Sequence, residues 1–83
     1  QPQKVIIRAF GIHVEYMRSL PLHHSQREIK TIHEQYSDFE YKLCLTPELT
    51  TKILSMGDNV EVLEPQELRE EIKNKLCLTI NRY

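Results

Sequence analysis

Short apolar runs and amphipathic segments follow one another along the chain, and their periods distinguish strands from helices. Lys4–Phe10 is apolar and β-branched and ends at Gly11, which predicts a first strand. In Ile12–Leu20 apolar residues recur four positions apart, which predicts a helix that stops at Pro21. Its predicted apolar face consists of Ile12, Tyr16 and Leu20, with Met17 beside them.

The next two segments predict a hairpin of two unlike strands. Gln26–Gln35 is rich in charge, which suits an edge strand because charge discourages pairing with other chains. Phe39–Leu45 alternates strictly between apolar and polar residues, and Ser37 and Asp38 are predicted to form the turn before it. The apolar set of this strand, which we expect to face the helices, is Phe39, Tyr41, Leu43 and Leu45.

The second half of the chain predicts a helix, a short strand and a final helix. Thr46–Glu48 has the residues that favour a helix start, and Gly57 suits a left-handed helix end. Asn59–Leu63 predicts the strand, and Glu64-Pro65 precedes the last helix. The apolar stripes of the two helices are Leu49, Ile53 and Leu54 on the first, and Leu68, Ile72, Leu76 and Ile80 on the second.

This order of elements predicts an α+β protein with the ferredoxin-like βαββαβ split fold and one additional C-terminal helix. Right-handed crossovers place the first and third strands in the middle of a four-stranded antiparallel sheet, with the helices on one face. A length of 83 residues predicts a single domain. Because the chain begins with Gln1 rather than methionine, we expect it to be a fragment of a larger protein.

Charge and cysteine content narrow the function classes. Eleven basic and twelve acidic residues give a net charge of −1, which argues against a dedicated binder of duplex DNA. No apolar run approaches the length of a membrane span. Cys44 and Cys77 each lie between leucines and match no metal or redox spacing, so we expect two buried thiols in a reducing cytoplasm.

The segment PLHHSQ, residues 21–26, raises the question of catalysis or metal binding. His23 and His24 are loop neighbours, which are expected to point apart, so we expect no metal site and no cofactor. Ser25 lies beside His24, but the chain has no nucleophile-elbow motif and only two glycines. An acyltransfer-like or isomerase-like enzyme would need a third group to orient the pair, and none is visible in the sequence.

A module that binds single-stranded nucleic acid or a nucleotide by itself is the main alternative. A ferredoxin-like sheet can present basic and aromatic residues to single strands. Arg8, Lys42 and Lys30 are predicted to lie on the sheet face opposite the helices, where they would form such a surface. Phe39 and Tyr41 fall on the other face and are predicted to be core residues.

Two segments of the sequence resemble the C-terminal extension, the WCX domain, of bacterial WYL-domain transcriptional regulators. One is the element leucine-histidine-x-Ser-Gln, in which His24 occupies the variable place; the fitting residues are Leu22, His23, Ser25 and Gln26. The other is the pattern G-x-x-V-E-V-L-x-P-x-x-L-R-E-E-I, which residues 57–72 match. The second element is the more specific, and the resemblance extends from Lys4 onward.

The resemblance implies a non-catalytic regulatory domain that packs on a WYL sensor domain of the same chain and helps to form the effector site. It also implies a homodimer, a single-stranded nucleic acid or nucleotide effector, and contact with duplex DNA only through a helix-turn-helix domain that this sequence lacks. No membrane partner is expected. The predicted effector or domain-interface residues are Arg8, His23, His24, Gln26 and Lys42.

Overall fold

The computed structural model describes residues 1–83 and contains four strands and three helices. The elements are β1 (Gln3–Phe10), α1 (His13–Ser19), β2 (Arg27–Ile32), β3 (Tyr36–Leu43), α2 (Pro47–Ser55), β4 (Val60–Glu64) and α3 (Gln66–Ile80). The strands pair antiparallel in the order β2-β3-β1-β4. This confirms the predicted α+β fold with β1 and β3 in the middle of the sheet. No helix of the chain is both long enough and apolar enough to cross a membrane.

The core lies between one face of the sheet and the three helices. Because alternate strand residues point to opposite faces, every second residue of β1 and β3 enters this core. Helix residues from α1, α2 and α3 complete it. The buried set is Val5, Ile7, Ala9, Met17, Phe39, Tyr41, Leu43, Leu49, Ile53, Met56, Val62 and Leu68. The other sheet face carries no helix.

Both predicted boundaries of α2 are confirmed. The Thr46 hydroxyl accepts a hydrogen bond of 3.2 Å from the Leu49 backbone N–H, and Pro47 occupies the first turn. Gly57 follows the helix with φ of 61°, the left-handed region that glycine adopts without a steric penalty. A short 3₁₀ turn, Gly57–Asn59, then leads into β4.

The turn predicted at Ser37 and Asp38 is wrong. Both residues lie within β3 and are buried, and the hairpin turn occupies residues 33–35, with Glu34 at φ of 64°. Asp and Ser favour turns because their side chains can form hydrogen bonds with nearby backbone groups. Here Asp38 is paired with Arg8 and the Ser37 hydroxyl donates to Glu28, so these partners stabilise both residues inside the sheet.

The apolar face predicted for α1 is only partly correct, because Met17 is its one buried member. Ile12, Tyr16 and Leu20 are 92%, 45% and 61% exposed, whereas Met17 is buried and Val14 packs beside it. Val14 and Met17 are three positions apart and fill the space above β1. The residues at four-position spacing therefore point outward.

Both cysteines are exposed and unpaired, so the prediction of buried thiols is wrong. β3 ends at Leu43, which leaves Cys44 in the exposed connection to α2. Cys77 lies in the last two turns of α3, where Leu76 and Ile80 are also exposed. A pair of flanking leucines does not imply burial where the helix extends past the sheet.

A polar cluster fixes α1 to the β2–β3 hairpin. The Arg18 guanidinium donates hydrogen bonds of 2.9 and 2.7 Å to the two carboxylate oxygens of Glu28. The hydroxyls of Thr31 and Ser37 donate to the same carboxylate at 2.7 and 2.6 Å. These bonds to the ionised form, that of Arg18 first, lower the pKa of Glu28 to about 2 from an ordinary value of 4.5.

Glu28→Gln tests this cluster through the pH dependence of stability. Because the pKa is lower in the folded protein, the stabilisation is fully present above about pH 4.5 and is lost as the pH falls toward 2. We expect Glu28→Gln to lower the free energy of unfolding by about 1–2 kcal/mol at pH 7. The difference from the wild type should shrink below pH 4. Urea denaturation across this range measures both effects. Glu34→Gln, at the exposed turn, is the control, and its free energy of unfolding should match that of the wild type. If the free energy of unfolding fell equally below pH 4 in Glu28→Gln and in the wild type, the assignment would be contradicted.

Candidate functional site

The five predicted interface residues lie in two places. Arg8 and Lys42 belong to the central strands and alternate with core residues, so their side chains are on the sheet face that no helix covers. His23, His24 and Gln26 belong to the connection between α1 and β2, at the end of the sheet where β3 finishes. We call the uncovered surface the open face and residues 21–26 the histidine loop.

A stacked ion pair occupies the centre of the open face. The Arg8 guanidinium donates two hydrogen bonds to the Asp38 carboxylate, at 2.8 and 3.1 Å, across the directly paired strands β1 and β3. The same guanidinium lies 3.9 Å from the centre of the Tyr36 ring, within the range of a cation–π contact. The bond to Asp38 raises the pKa of Arg8 above its ordinary value. Arg8 is therefore held by its neighbours in a fixed position.

Most of the other charges on and around the open face are also paired. Arg27 binds Glu40, Arg69 binds Glu61 at 2.8 Å, and Lys4 lies 3.7 Å from Glu64. Lys42, in contrast, is exposed and its ammonium group has no carboxylate within 4 Å. Phe10, which is 37% exposed, contacts the Tyr36 ring edge-on with centroids 6.4 Å apart. Lys30 of β2, whose ammonium group lies 5.7 Å from the centre of the Tyr36 ring, also has no carboxylate within 4 Å. Most charges of the open face are thus paired, Lys30 and Lys42 remain as unpaired cations, and the aromatic contact lies at the end of the sheet beside the β2–β3 turn.

Ser25 joins the histidine loop to β3. Its Oγ accepts a hydrogen bond of 3.0 Å from the Lys42 N–H and lies 3.2 Å from the Lys42 carbonyl. Its N–H donates to Nδ1 of His23 at 3.2 Å, and its Oγ lies 2.7 Å from the same nitrogen. Ser25 is bonded to His23 rather than His24, and no carboxylate binds Nε2 of His23.

The two histidine rings stack on each other, contrary to the expectation that they point apart. Their centroids are 4.1 Å apart with an angle of 32° between the planes. The bonds from Ser25 hold the His23 ring, and His24 is exposed beside it. A shallow groove next to His23 is lined by Leu22, Leu43, Cys44, Thr46, Glu48, Leu49 and Lys52. No group of three His, Cys, Asp or Glu side chains is arranged to hold a metal ion.

Gln26 points into the domain. Its side-chain carbonyl accepts hydrogen bonds from the Leu22 N–H at 3.0 Å and from the Tyr41 hydroxyl at 2.7 Å. Its amide donates to the Met17 carbonyl at 2.9 Å. Tyr41 is fully buried, and burial raises the pKa of its hydroxyl. One side chain thus links α1, the histidine loop and β3.

Sequence reasoning missed Tyr36 and Asp38, the two partners of Arg8. Assigning Ser37 and Asp38 to a turn removed both Tyr36 and Asp38 from the strand. The alternation of Phe39 and Tyr41, extended three residues toward the N-terminus, would have placed Tyr36 and Asp38 on the same face as Lys42.

The family model of the WCX domain matches residues 1–76 of the chain. No curated protein matches it. The match includes β1, the histidine loop, the hairpin and most of α3.

Gln26→Leu tests the structural part of the histidine loop. The substitution leaves the buried Tyr41 hydroxyl without its acceptor, and we expect a loss of about 2–3 kcal/mol in the free energy of unfolding. Adding Tyr41→Phe removes that hydroxyl, so the double variant should lose less than the sum of the two single losses. Urea denaturation at pH 7 measures all three. Gln35→Leu, in the exposed hairpin turn, is the control and should change stability little; simple additivity would show that the bond contributes nothing.

Proposed function

The chain belongs to the WCX domain family, and on this basis we propose that it is the non-catalytic regulatory domain of a cytoplasmic bacterial WYL-domain transcription regulator. In this role it packs on the WYL sensor domain, helps to form the effector site and contributes to dimerisation. The domain is a C-terminal piece of that regulator. Duplex DNA is contacted by a separate helix-turn-helix domain.

The observation that carries the proposal is the open face. All three helices pack on the other side of the sheet, so the central strands β1 and β3 present a rigid surface to a neighbouring domain. At the end beside the β2–β3 turn, it combines aromatic rings with a fixed guanidinium, at Phe10, Tyr36 and Arg8. Aromatic and arginine side chains are enriched in protein interfaces relative to the rest of the surface. This composition suits a domain contact.

The pairing of most charges on the open face favours a shared effector site over independent nucleic-acid binding. A protein that binds single strands alone supplies a positively charged groove along the backbone. Here Asp38 engages Arg8, and Glu40 engages Arg27, which leaves Lys42 on the central strands and Lys30 on β2 as the free cations of this face. We infer that a second domain supplies most of the contacts to an anionic effector, and that Lys42 lies at the edge of that composite site.

Regulation then follows from differential binding. An effector at the junction of the two domains changes the arrangement of the regulator only if it binds one arrangement more tightly than the other. The WCX domain would respond to the effector as a rigid unit. The Arg8–Asp38 pair fixes the open face to β3, and the hydrogen bond between Gln26 and Tyr41 fixes the histidine loop to the same strand.

The test compares the isolated 83-residue chain with the polypeptide that joins it to its WYL domain. The probe is a short 5′-phosphorylated single-stranded oligonucleotide, titrated at physiological salt. We expect no clustered amide NMR shifts in the isolated chain and measurable binding by the joined polypeptide. Clustered shifts at Arg8, Tyr36 and Lys42 in the isolated chain would instead identify a stand-alone single-strand-binding module.

A charge-reversal pair then locates the composite site. Lys42→Glu, on the open face, should weaken binding of the probe by the joined polypeptide about tenfold. Lys52→Glu, at another exposed lysine on the helix side, should leave it within about twofold. The opposite ranking would move the site to the groove beside His23, which Lys52 lines, and would overturn the role given to the open face.

A further inference from the structure

A cavity of about 170 Å³ lies between α2, the edge strand β4 and α3. Part of its lining is exposed, at Gly57, Lys73 and Leu76, so the cavity opens to solvent. An apolar cavity of roughly 150 Å³ in another protein holds a benzene molecule, so a single ring or a short aliphatic chain fits this one. The aliphatic part of the lining consists of Ile53, Leu54, Val60, Val62, Ile72 and Leu76.

A fixed guanidinium, that of Arg69, also lines this cavity. Its Nη1 donates hydrogen bonds to the Glu61 carboxylate at 2.8 Å and to the Val62 carbonyl at 2.7 Å, which hold the group against β4. Its Nε and Nη2 make no hydrogen bond within the domain. These two nitrogens form one side of the guanidinium fork, which can bind a carboxylate through two parallel hydrogen bonds. Arg69 is therefore positioned by the domain and still has donors available.

A second cation, Lys73, follows Arg69 by one turn on the same side of α3 and lines the same cavity. Its ammonium group has no carboxylate within 4 Å. Glu71 lies on the other flank of α3, where it accepts a hydrogen bond of 3.0 Å from the Thr50 hydroxyl. The charged lining is thus two cations and one anion, and that anion, Glu61, is already bound to Arg69.

From the aliphatic walls, the fixed guanidinium and the unpaired ammonium group, we infer that this cavity binds a small monocarboxylate whose apolar body is one ring or a chain of about six carbon atoms. The apolar body occupies the space between α2 and α3. Nε and Nη2 of Arg69 donate to the carboxylate, and the Lys73 ammonium group lies beside it. A dicarboxylate is disfavoured, because its second charge would lie against aliphatic side chains. Since β1 separates β4 from β3, this site is distinct from the one proposed at Lys42 and does not rest on it.

The first experiment titrates the 83-residue chain at pH 7 with benzoate and, separately, with hexanoate, and follows the amide NMR spectrum. We expect saturable shifts clustered at Ile53, Gly57, Val62 and Ile72. The two probes distinguish a ring from a chain as the preferred apolar body. Benzyl alcohol and hexanol, which lack the charge, should bind about fivefold or more weakly than the matching carboxylates. Acetate, which lacks the apolar body, should cause no saturable shifts.

Two charge variants at the cavity should act in opposite directions. Lys73→Gln removes a cation and should weaken benzoate binding about three- to tenfold, whereas the affinity for benzyl alcohol should not change. Glu61→Gln removes the competing anion but keeps an oxygen that accepts from Arg69, and it should strengthen benzoate binding about two- to fivefold. Lys75→Gln, at an exposed lysine of α3 outside the cavity lining, is the matched control and should leave the affinity within about twofold.

A cavity-filling variant tests the apolar part of the site. Leu54→Trp places a larger side chain in the cavity wall and should abolish the shifts caused by both carboxylates. Its circular dichroism spectrum should match that of the wild type, since Leu54 is only partly buried. Thr51→Trp, at an exposed position of α2 outside the lining, is the control and should bind benzoate as the wild type does. If Leu54→Trp does not fold, the charge variants still decide the question.

Three results would overturn the inference. The first is the absence of saturable shifts with either carboxylate, and the second is equal affinity for benzoate and benzyl alcohol. The third is a cluster of shifts at Arg8 and Lys42, which would place the anion on the open face instead. None of these results changes the comparison of oligonucleotide binding by the isolated and the joined polypeptides, so the cavity and the proposed function can fail independently.

Discussion

Burial of a single sheet face is the constraint on which the rest of this structure depends. With one modest core available to 83 residues, all three helices pack on the side that Val5, Ile7, Phe39 and Tyr41 present. The strand period of two then determines the other surface, because each core residue of β1 and β3 is followed by one that points away. The open face, with Arg8 and Asp38 at its centre, is a direct consequence of how the core is built.

Much of the fold could be predicted from the sequence because period and end signals agree. The strands β1 and β3 have the clearest apolar patterns, and Thr46, Pro47 and Gly57 determine the two ends of α2. Predictions failed where a tertiary partner overrides a local preference. Asp38 favours turns in isolation, yet its pairing with Arg8, thirty residues earlier, stabilises it within a strand. The outward rotation of α1 likewise depends on which side chains fit above β1.

The candidate site was less predictable, because it depends on pairings between distant residues. Sequence patterns named Arg8 and Lys42 as basic residues of one face, but only the structure shows that one is engaged and the other free. The histidine loop shows the same limit. Its residues suggested a surface, whereas Gln26 turns inward to Tyr41 and Ser25 bonds the backbone of β3. In the open face and in the histidine loop, most polar side chains bind partners within the domain, and few are left to contact another molecule. This arrangement fits a domain that acts through a neighbouring domain.

The bond between Ser25 and Lys42 has a consequence for the chain's interaction with other β-structures. Arg27 pairs with Glu40, and Ser25 lies opposite Lys42 in the same register, but a side-chain hydroxyl replaces the backbone partner there. The N–H of Lys42 is therefore satisfied without another strand residue. A stretch of open strand edge is where foreign strands add on and where aggregation begins. The Ser25 hydroxyl thus satisfies the backbone N–H of Lys42 at the end of the β2–β3 ladder. A small residue without a hydroxyl at position 25 would leave this N–H free to bind an extended peptide.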